Sequence, residues 1–306
     1  MPFPLLMISA MYENGGNTTQ RFLDGHPELF SYPFESQLGT KYVCDYLSSL
    51  FPLKYRWPVF PLHAVPAEDY DTIIDEECKV RIKTPQSSKF RDYPIALDDR
   101  RRKENFVRLM DGKPRTRAAL VEAFFRASAE AWQDRKASGK ERIYVGYSPI
   151  VVVDADKILA DLSEAHVLHV VRNPWSAYAD TKKRAVPLSL AHYMTAWCLN
   201  QQYALRFAAK FPERMHVLRF EDLIADPVKQ LGDVLQKMNV APSETLARPS
   251  WNGRALEQVY PWGTIRVPTA EANRRTAEEL SADEKQEIRL HTRLLLAVLG
   301  YEKYLD

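Results

Sequence analysis

The 306-residue chain reads as an α/β domain built on a parallel sheet. Three short apolar runs carry strand character: Leu5–Ile8, His166–Val171 and Met215–Leu218. Each is followed by a turn and then by a helix-like pattern. Strands of this kind alternating with helices argue for a parallel sheet covered on both faces. The length suits one elaborated domain, with neither repeats nor an obvious linker.

The helices are marked by their ends. Arg115–Gln133 is Ala-rich with apolar residues at helical spacing, and the chain breaks near Ser138-Gly139. Leu188–Phe211 carries Trp197, Leu199, Tyr203, Leu205 and Phe207. Pro227–Met238 has Asp226 in the N-cap position and proline at the first helical one. The last helix starts after Ser281, supported by Glu284 three residues on, and stops at Gly300. Two stretches differ. Residues 41–113 are rich in aromatics and proline with weak periodicity, and 41–140 reads as a mainly helical and loop insertion that shapes a substrate pocket. Residues 250–280 read as an extended loop around Trp251, Gly253, Pro261, Trp262 and Gly263.

Forty-two Lys and Arg against 40 Asp and Glu leave a formal charge of +2. That excludes a global nucleic-acid footprint but leaves room for a local cationic pocket. Cys44, Cys78 and Cys198 are odd in number and form no CxxC pair, so a reducing compartment is expected. The N-terminal apolar run is brief and has no Lys or Arg before it, unlike a signal peptide. No stretch approaches the roughly 20 apolar residues of a membrane helix. The expectation is a cytoplasmic protein with no nucleic-acid or membrane partner, and a homodimer is compatible with it.

After the first strand comes Tyr12-Glu13-Asn14-Gly15-Gly16-Asn17-Thr18-Thr19-Gln20. Two glycines let the backbone turn sharply and present its N–H groups, and the hydroxyls that follow sit where a helix starts. This is the layout of a phosphate cradle, with Gly15, Gly16, Asn17, Thr18, Thr19 and Gln20 as its candidates. The same residues also suit an ordinary turn and helix cap. It is not a Walker A loop. GxxxxGK[ST] is absent, so there is no loop lysine for a γ-phosphate and no Ser or Thr in the usual Mg²⁺ position.

His166–Val171 ends in Arg172-Asn173-Pro174. An arginine at the carboxyl end of a buried strand sits where open α/β sheets bind ligands, and its planar fork suits a phosphate. Asn-Pro then opens a new helix, on which Asp180 and Thr181 precede Lys182-Lys183-Arg184. For Lys183 and Arg184 a solvated helix face is the simpler reading.

Together these segments resemble the PAPS-dependent sulfotransferases. In that family the first strand–loop–helix cradles the 5′-phosphosulfate. A second strand ends in R-[DN]-P and, with a hydroxyl residue further along, holds the 3′-phosphate. Gly16-Asn17-Thr18-Thr19, continuing into Leu23-Asp24-Gly25-His26-Pro27-Glu28-Leu29, matches the first element, and Arg172-Asn173-Pro174 the second. Leu218-Arg219-Phe220-Glu221-Asp222-Leu223 with Asp226-Pro227, and the closing Leu299-Gly300-Tyr301, are similar to further family segments. The resemblance implies a P-loop-like three-layer domain over 1–306. It would move the sulfuryl group of PAPS in line to a hydroxyl on a small molecule or carbohydrate and release PAP. A sulfuryl group carries less charge than a terminal phosphoryl, and no His, Asp and Glu cluster suggests a metal.

The same comparison shows two departures. Asp180 stands where relatives carry serine, so Thr181 or a backbone amide is expected at the phosphate. Glu13-Asn14-Gly15 stands where relatives carry Lys or Arg, leaving Arg21, Lys83 and Lys182 as sources of a cation. Glu35 is favoured as general base, since it returns over the cradle soon after the first helix and relatives place a catalytic Glu there; His63 is its rival. The loop Tyr260–Arg266, with Trp262, Gly263, Thr264 and Arg266, is expected to close over the nucleotide. Two alternatives stay open: an ATP-dependent P-loop kinase, which the missing loop lysine disfavours, and a non-catalytic nucleotide-binding relative.

Overall fold

Every residue of the first strand, β1 (Leu5–Ser9), is buried. Leu5 and Met7 enter one apolar cluster and Leu6 and Ile8 the other, as the two-residue repeat of a strand requires when both faces are covered. The computed structural model describes residues 3–84, 86, 95–256 and 269–306. Its main sheet adds β2 (Leu29–Ser31), β3 (Ile143–Tyr147), β4 (Ala165–Val171) and β5 (Met215–Arg219), in the order β2-β3-β1-β4-β5. All four pairings are parallel. The two strands that the sequence does not announce have local reasons for it. β2 is three residues long, and β3 contains Gly146, where an added Cβ would press on Phe125, Met7 and Ser36.

This order puts β1 in the middle and moves the chain from one side of it to the other between β3 and β4. The reversal point lies between β1 and β4, at whose carboxyl ends open α/β sheets bind ligands. The loops that follow these two strands carry the Gly15-Gly16 turn and Arg172.

The capping signals are realised. Asp226 accepts the Lys229 N–H and starts the helix Pro227–Gln236. Ser281 and Glu284 close a capping box on Ala282–Leu299, and Gly300 ends that helix at φ 72°. The helices Arg117–Ala131 and Leu190–Lys210 begin behind the caps Thr116 and Ser189. The described residues of 250–280 are more regular than the extended loop expected: Ser250–Trp251 and Arg254–Ala255 pair as a ribbon, and Ala270–Glu278 is a helix capped by Thr269. Its helical pattern is masked in sequence by a largely polar composition.

Within 41–140 lie the helices Pro66–Thr72, Glu76–Lys83 and Asp99–Met110. Tyr70, Cys78, Phe106 and Met110 join the apolar cluster of the sheet, and a buried ion pair adds to that anchor. Arg102 is fully buried and donates to Asp75 Oδ2 at 2.6 Å and to the Tyr32 hydroxyl at 3.1 Å, while Tyr32 donates to Asp75 Oδ1. A buried charge of this kind is tolerated only when it is paired and hydrogen-bonded. The cluster pins the chain leaving β2 to the turn before Glu76–Lys83.

Candidate active site

The cradle helix Gly16–Leu23 begins behind Gly15, which adopts φ 92°. A Cβ on Gly15 would overlap the Phe220 ring, and one on Gly16 the Tyr147 ring. Two aromatic side chains thus pack against the turn from below, and only glycine fits both places. Glu13 is also left-handed, at φ 58°, a conformation that non-glycine residues adopt only when neighbours enforce it. The first internal bond of the helix runs from Thr19 N to Gly15 O at 2.9 Å, and the N–H groups ahead of it are the unpaired donors of a helix start.

Side chains in the cradle divide by role. Asn17 is half-buried and Thr18 nearly buried at this start. Thr19 donates its hydroxyl to Gly15 O at 3.0 Å, and Gln20 donates its amide to Tyr32 O and to Phe34 O at 3.0 Å. These two side chains, expected at a ligand, are committed to the fold.

Arg172 closes the other side. Its backbone N–H donates to Asn14 Oδ1 at 2.9 Å and its Nη1 to Glu13 O at 2.9 Å, so the two predicted anion sites are one continuous structure. Nε donates to Asn273 Oδ1 at 2.7 Å and Nη1 also to Asp180 Oδ2 at 2.8 Å. Nη2 is buried with no hydrogen-bond partner among the described residues. Asp180 is buried between Arg172 and Lys183, its charge neutralised by both. Asp180 is therefore compensated, in contrast to the bare acid that the sequence suggested. Thr181, expected to stand in for the missing serine, is buried and donates its hydroxyl back to Ala177 O at 2.8 Å.

Behind Arg172, segments far apart in sequence share one carboxylate. Glu221 Oε1 accepts from Asn173 Nδ2 at 2.7 Å and Asn273 Nδ2 at 2.8 Å, and Oε2 accepts from the Tyr301 hydroxyl at 2.6 Å. Tyr301 also hydrogen-bonds Val171 O. Asn173, Glu221 and Tyr301 come from motifs read in the sequence; Asn14 lies in the cradle segment without an expected role, and Asn273 carries no motif.

Glu35 is half-buried just beyond β2. Gln37 Nε2 donates to its Oε2 at 3.0 Å, Gln37 Oε1 accepts the Glu77 N–H at 3.0 Å, and the Glu35 N–H donates to Glu77 Oε2 at 2.7 Å. Arg81 in turn pairs with Glu77. The helix Glu76–Lys83 thus holds Glu35 in place. The Tyr147 ring lies against Gly16, and burial, then the Glu35 and Glu13 charges, push its hydroxyl far above the usual value. Tyr12 is raised by burial and by Glu35, against the pull of Arg184. Glu35, the cradle and Arg184 therefore act on the same two phenols.

The other candidates lie elsewhere. His63 is exposed on the turn before Pro66–Thr72, a turn held by Arg115, which bonds Pro61 O, Leu62 O and Asp69. Lys83 is exposed at the end of its helix. Arg21 is buried with its guanidinium 4.9 Å over Trp251 and a bond to Pro33 O, and Lys182 pairs with Glu284 at 2.6 Å. Trp262, Gly263, Thr264 and Arg266 lie outside the described residues. Among the described residues, no group of three or more His, Cys, Asp or Glu is placed to hold a metal ion.

The profile described as "Sulfotransferase family" matches residues 39–244, most of the chain and both strands of the Arg172 side. The chain belongs to the sulfotransferase family. The solved sulfotransferase domain from the curacin biosynthetic pathway aligns over 99% of this chain and 99% of its own, with a TM-score of 0.55 and 16% identity, a likeness of fold. A sulfotransferase from Alicyclobacillus acidocaldarius aligns over 99% and 98%, at a TM-score of 0.48 and 16% identity. No curated protein matches the sequence. The match begins at residue 39, beyond the Gly15-Gly16 turn; the sulfotransferase fold is P-loop-like, and the turn here carries no P-loop lysine. No described helix is long and apolar enough to cross a membrane.

Proposed function

We propose that this sulfotransferase uses PAPS as donor and transfers its sulfuryl group to an acceptor hydroxyl on a small molecule or carbohydrate, releasing PAP. The observation that carries the reading is Arg172: a buried guanidinium, bonded to the cradle loop through Glu13 O, with Nη2 unpartnered among the described residues. A buried donor without a partner costs about 1–3 kcal/mol, and an anion at the crevice would satisfy it.

The chain's residues divide the work. Backbone N–H groups at the start of Gly16–Leu23 would receive the 5′ end of the donor, and Arg172 a phosphate at the reversal point. Bound PAPS supplies an activated sulfuryl group on a good leaving phosphate. Glu35, fixed by Gln37 and Glu77, would accept the acceptor's hydroxyl proton as the new S–O bond forms and the old bridging bond breaks, its electron pair staying on the phosphate. Helices of 41–140 shape the acceptor side, where Tyr12 and Tyr55 stack edge to face at 5.9 Å. His63 is the less favoured base because nothing described joins its exposed turn to the cradle.

A cytoplasmic or other reducing location suits Cys44, Cys78 and Cys198, which are all free thiols. The test is a PAPS turnover assay over a library of hydroxyl acceptors. PAP release coupled to a sulfated acceptor supports the reading. A chain that binds PAP but never turns over PAPS would be a non-catalytic nucleotide-binding relative.

A further inference from the structure

We propose that Arg184 supplies the cation that the loop after β1 lacks, pairing with the charged 5′ end of the sulfuryl donor; this rests on the donor reading above. The loop Glu13-Asn14-Gly15 offers no positive side chain. Of the sequence-based substitutes, Arg21 is buried against Trp251 and Lys182 is paired with Glu284, while Lys83 is exposed at a helix end with no contact to the loop among the described residues. Lys183 is shared between Asp180 and Glu279.

Arg184 differs from all of these. It is half-buried, its guanidinium carbon lies 4.6 Å from the centre of the Tyr12 ring, and it forms no ion pair among the described residues. Tyr12 opens the cradle loop and is fixed there, since its carbonyl accepts from Asn14 Nδ2 at 2.9 Å and from the Tyr193 hydroxyl at 3.2 Å. The helix Pro174–Thr181 starts behind Arg172 and leads directly to Arg184, whose N–H bonds Thr181 O. One short element therefore sets an arginine at each end, one on Glu13 O and the other on the Tyr12 ring, against consecutive residues of the cradle loop.

An arginine stacked on an aromatic face keeps its N–H edge open to an anion. A half-buried cation of this kind, with no carboxylate to pair with, suits a site whose anion arrives with the ligand. Its charge and that of Glu35 act in opposite directions on the Tyr12 and Tyr147 hydroxyls. During transfer, negative charge collects on the departing 5′-phosphate oxygen while the proton goes to Glu35, so a cation on the Tyr12 ring and a separate carboxylate held by Gln37 match the two demands.

Calorimetric titration of the full chain with PAP and with 3′-AMP separates the two ends of the nucleotide. Arg184→Gln is expected to weaken PAP about tenfold, the loss of one charge-assisted contact, while leaving 3′-AMP affinity unchanged. Arg172→Gln is expected to weaken both ligands. Arg184→Lys, which keeps the charge, retains most of the PAP affinity, and an unchanged melting temperature in both Arg184 variants shows that the fold is intact. Equal PAP affinity in Arg184→Gln and the parent overturns the assignment, and so does an equal loss for PAP and 3′-AMP, which would put Arg184 at the other phosphate. If the parent chain binds 3′-AMP and PAP not at all, it is the donor reading itself that falls.

Discussion

Asp180 and Arg172 form a buried ion pair, Nη1 to Oδ2 at 2.8 Å, at the mouth of the crevice between β1 and β4. The pair neutralises the guanidinium assigned to the anion in the proposed function, and Lys183 supplies a second positive charge to the same carboxylate. A phosphate arriving here adds negative charge beside Asp180.

Removing that carboxylate should therefore favour the ligand. Asp180→Ser is expected to tighten PAP binding about tenfold, since a screened like-charge contact is worth roughly 1–2 kcal/mol. It should lower the melting temperature at the same time, because a broken buried pair leaves Arg172 with fewer partners. Titration and a thermal melt of the same sample check both; unchanged PAP affinity would mean that Asp180 does not face the ligand.

The glycine turn makes a steric prediction. Gly16→Ala drives a Cβ into the Tyr147 ring, and Gly15→Ala adds left-handed strain of about 1–2 kcal/mol to a clash with Phe220. Both variants should lose PAP binding at least about 100-fold, with Gly15→Ala the less stable of the two. Titration against chemically denatured controls reads both effects.

Much of this was legible beforehand, and the reasons are specific. The strands β1, β4 and β5 are apolar and the helix caps are Ser, Thr and Asp, so local chemistry announced them. Glu221 and Tyr301 were visible only as segments of a family pattern; that both reach Asn173 and Val171 needed the fold. The roles of Asn14, inside the cradle segment, and of Asn273 were not legible, because a buried amide that orients an arginine has no sequence signature. Arg184 reads in sequence as part of a solvated basic helix face, and only its seat on Tyr12 distinguishes it from the paired Lys182 and Lys183.

Glu35 and its support separate chemistry from binding. Glu35→Gln should lower kcat about 10²-fold, the usual worth of a general base, and leave PAP affinity unchanged. Gln37→Leu removes the amide that orients the carboxylate and receives the Glu77 N–H, so kcat should fall about tenfold with little change in KM. Steady-state kinetics decide; near-full activity in Glu35→Gln would transfer the role of base to His63.

The histidines on β4 and β5 predict the response to acid. His166 and His216 stack with Nδ1 and Nε2 3.0 Å apart, and both are held down to about 4, by burial first and then by neighbouring cations, Arg214 and Lys237 for His166 and His166 and Lys237 for His216. His169 is also lowered to about 4 by burial, opposed only by Gln201. Folded-state values below the unfolded value of about 6.5 mean that the unfolded chain takes up protons first. The stability these groups contribute is complete above pH 6.5 and is lost as pH falls through about 4. Thermal melts from pH 7 to 4 should show a falling midpoint, and His216→Gln should flatten the curve by on the order of 5 °C over that range. A parallel fall in parent and variant would mean that the pair does not titrate with unfolding.

The central claim is that Arg172 and the Gly15-Gly16 turn form one site for a 3′-phosphorylated sulfuryl donor. Thermal-shift titration of the full chain against PAP and against ATP with Mg²⁺, repeated on Arg172→Gln, tests it most directly. The account predicts stabilisation by PAP, little by ATP with Mg²⁺, and loss of the PAP effect in the variant. Stabilisation by ATP with Mg²⁺ and none by PAP would contradict it and favour a kinase.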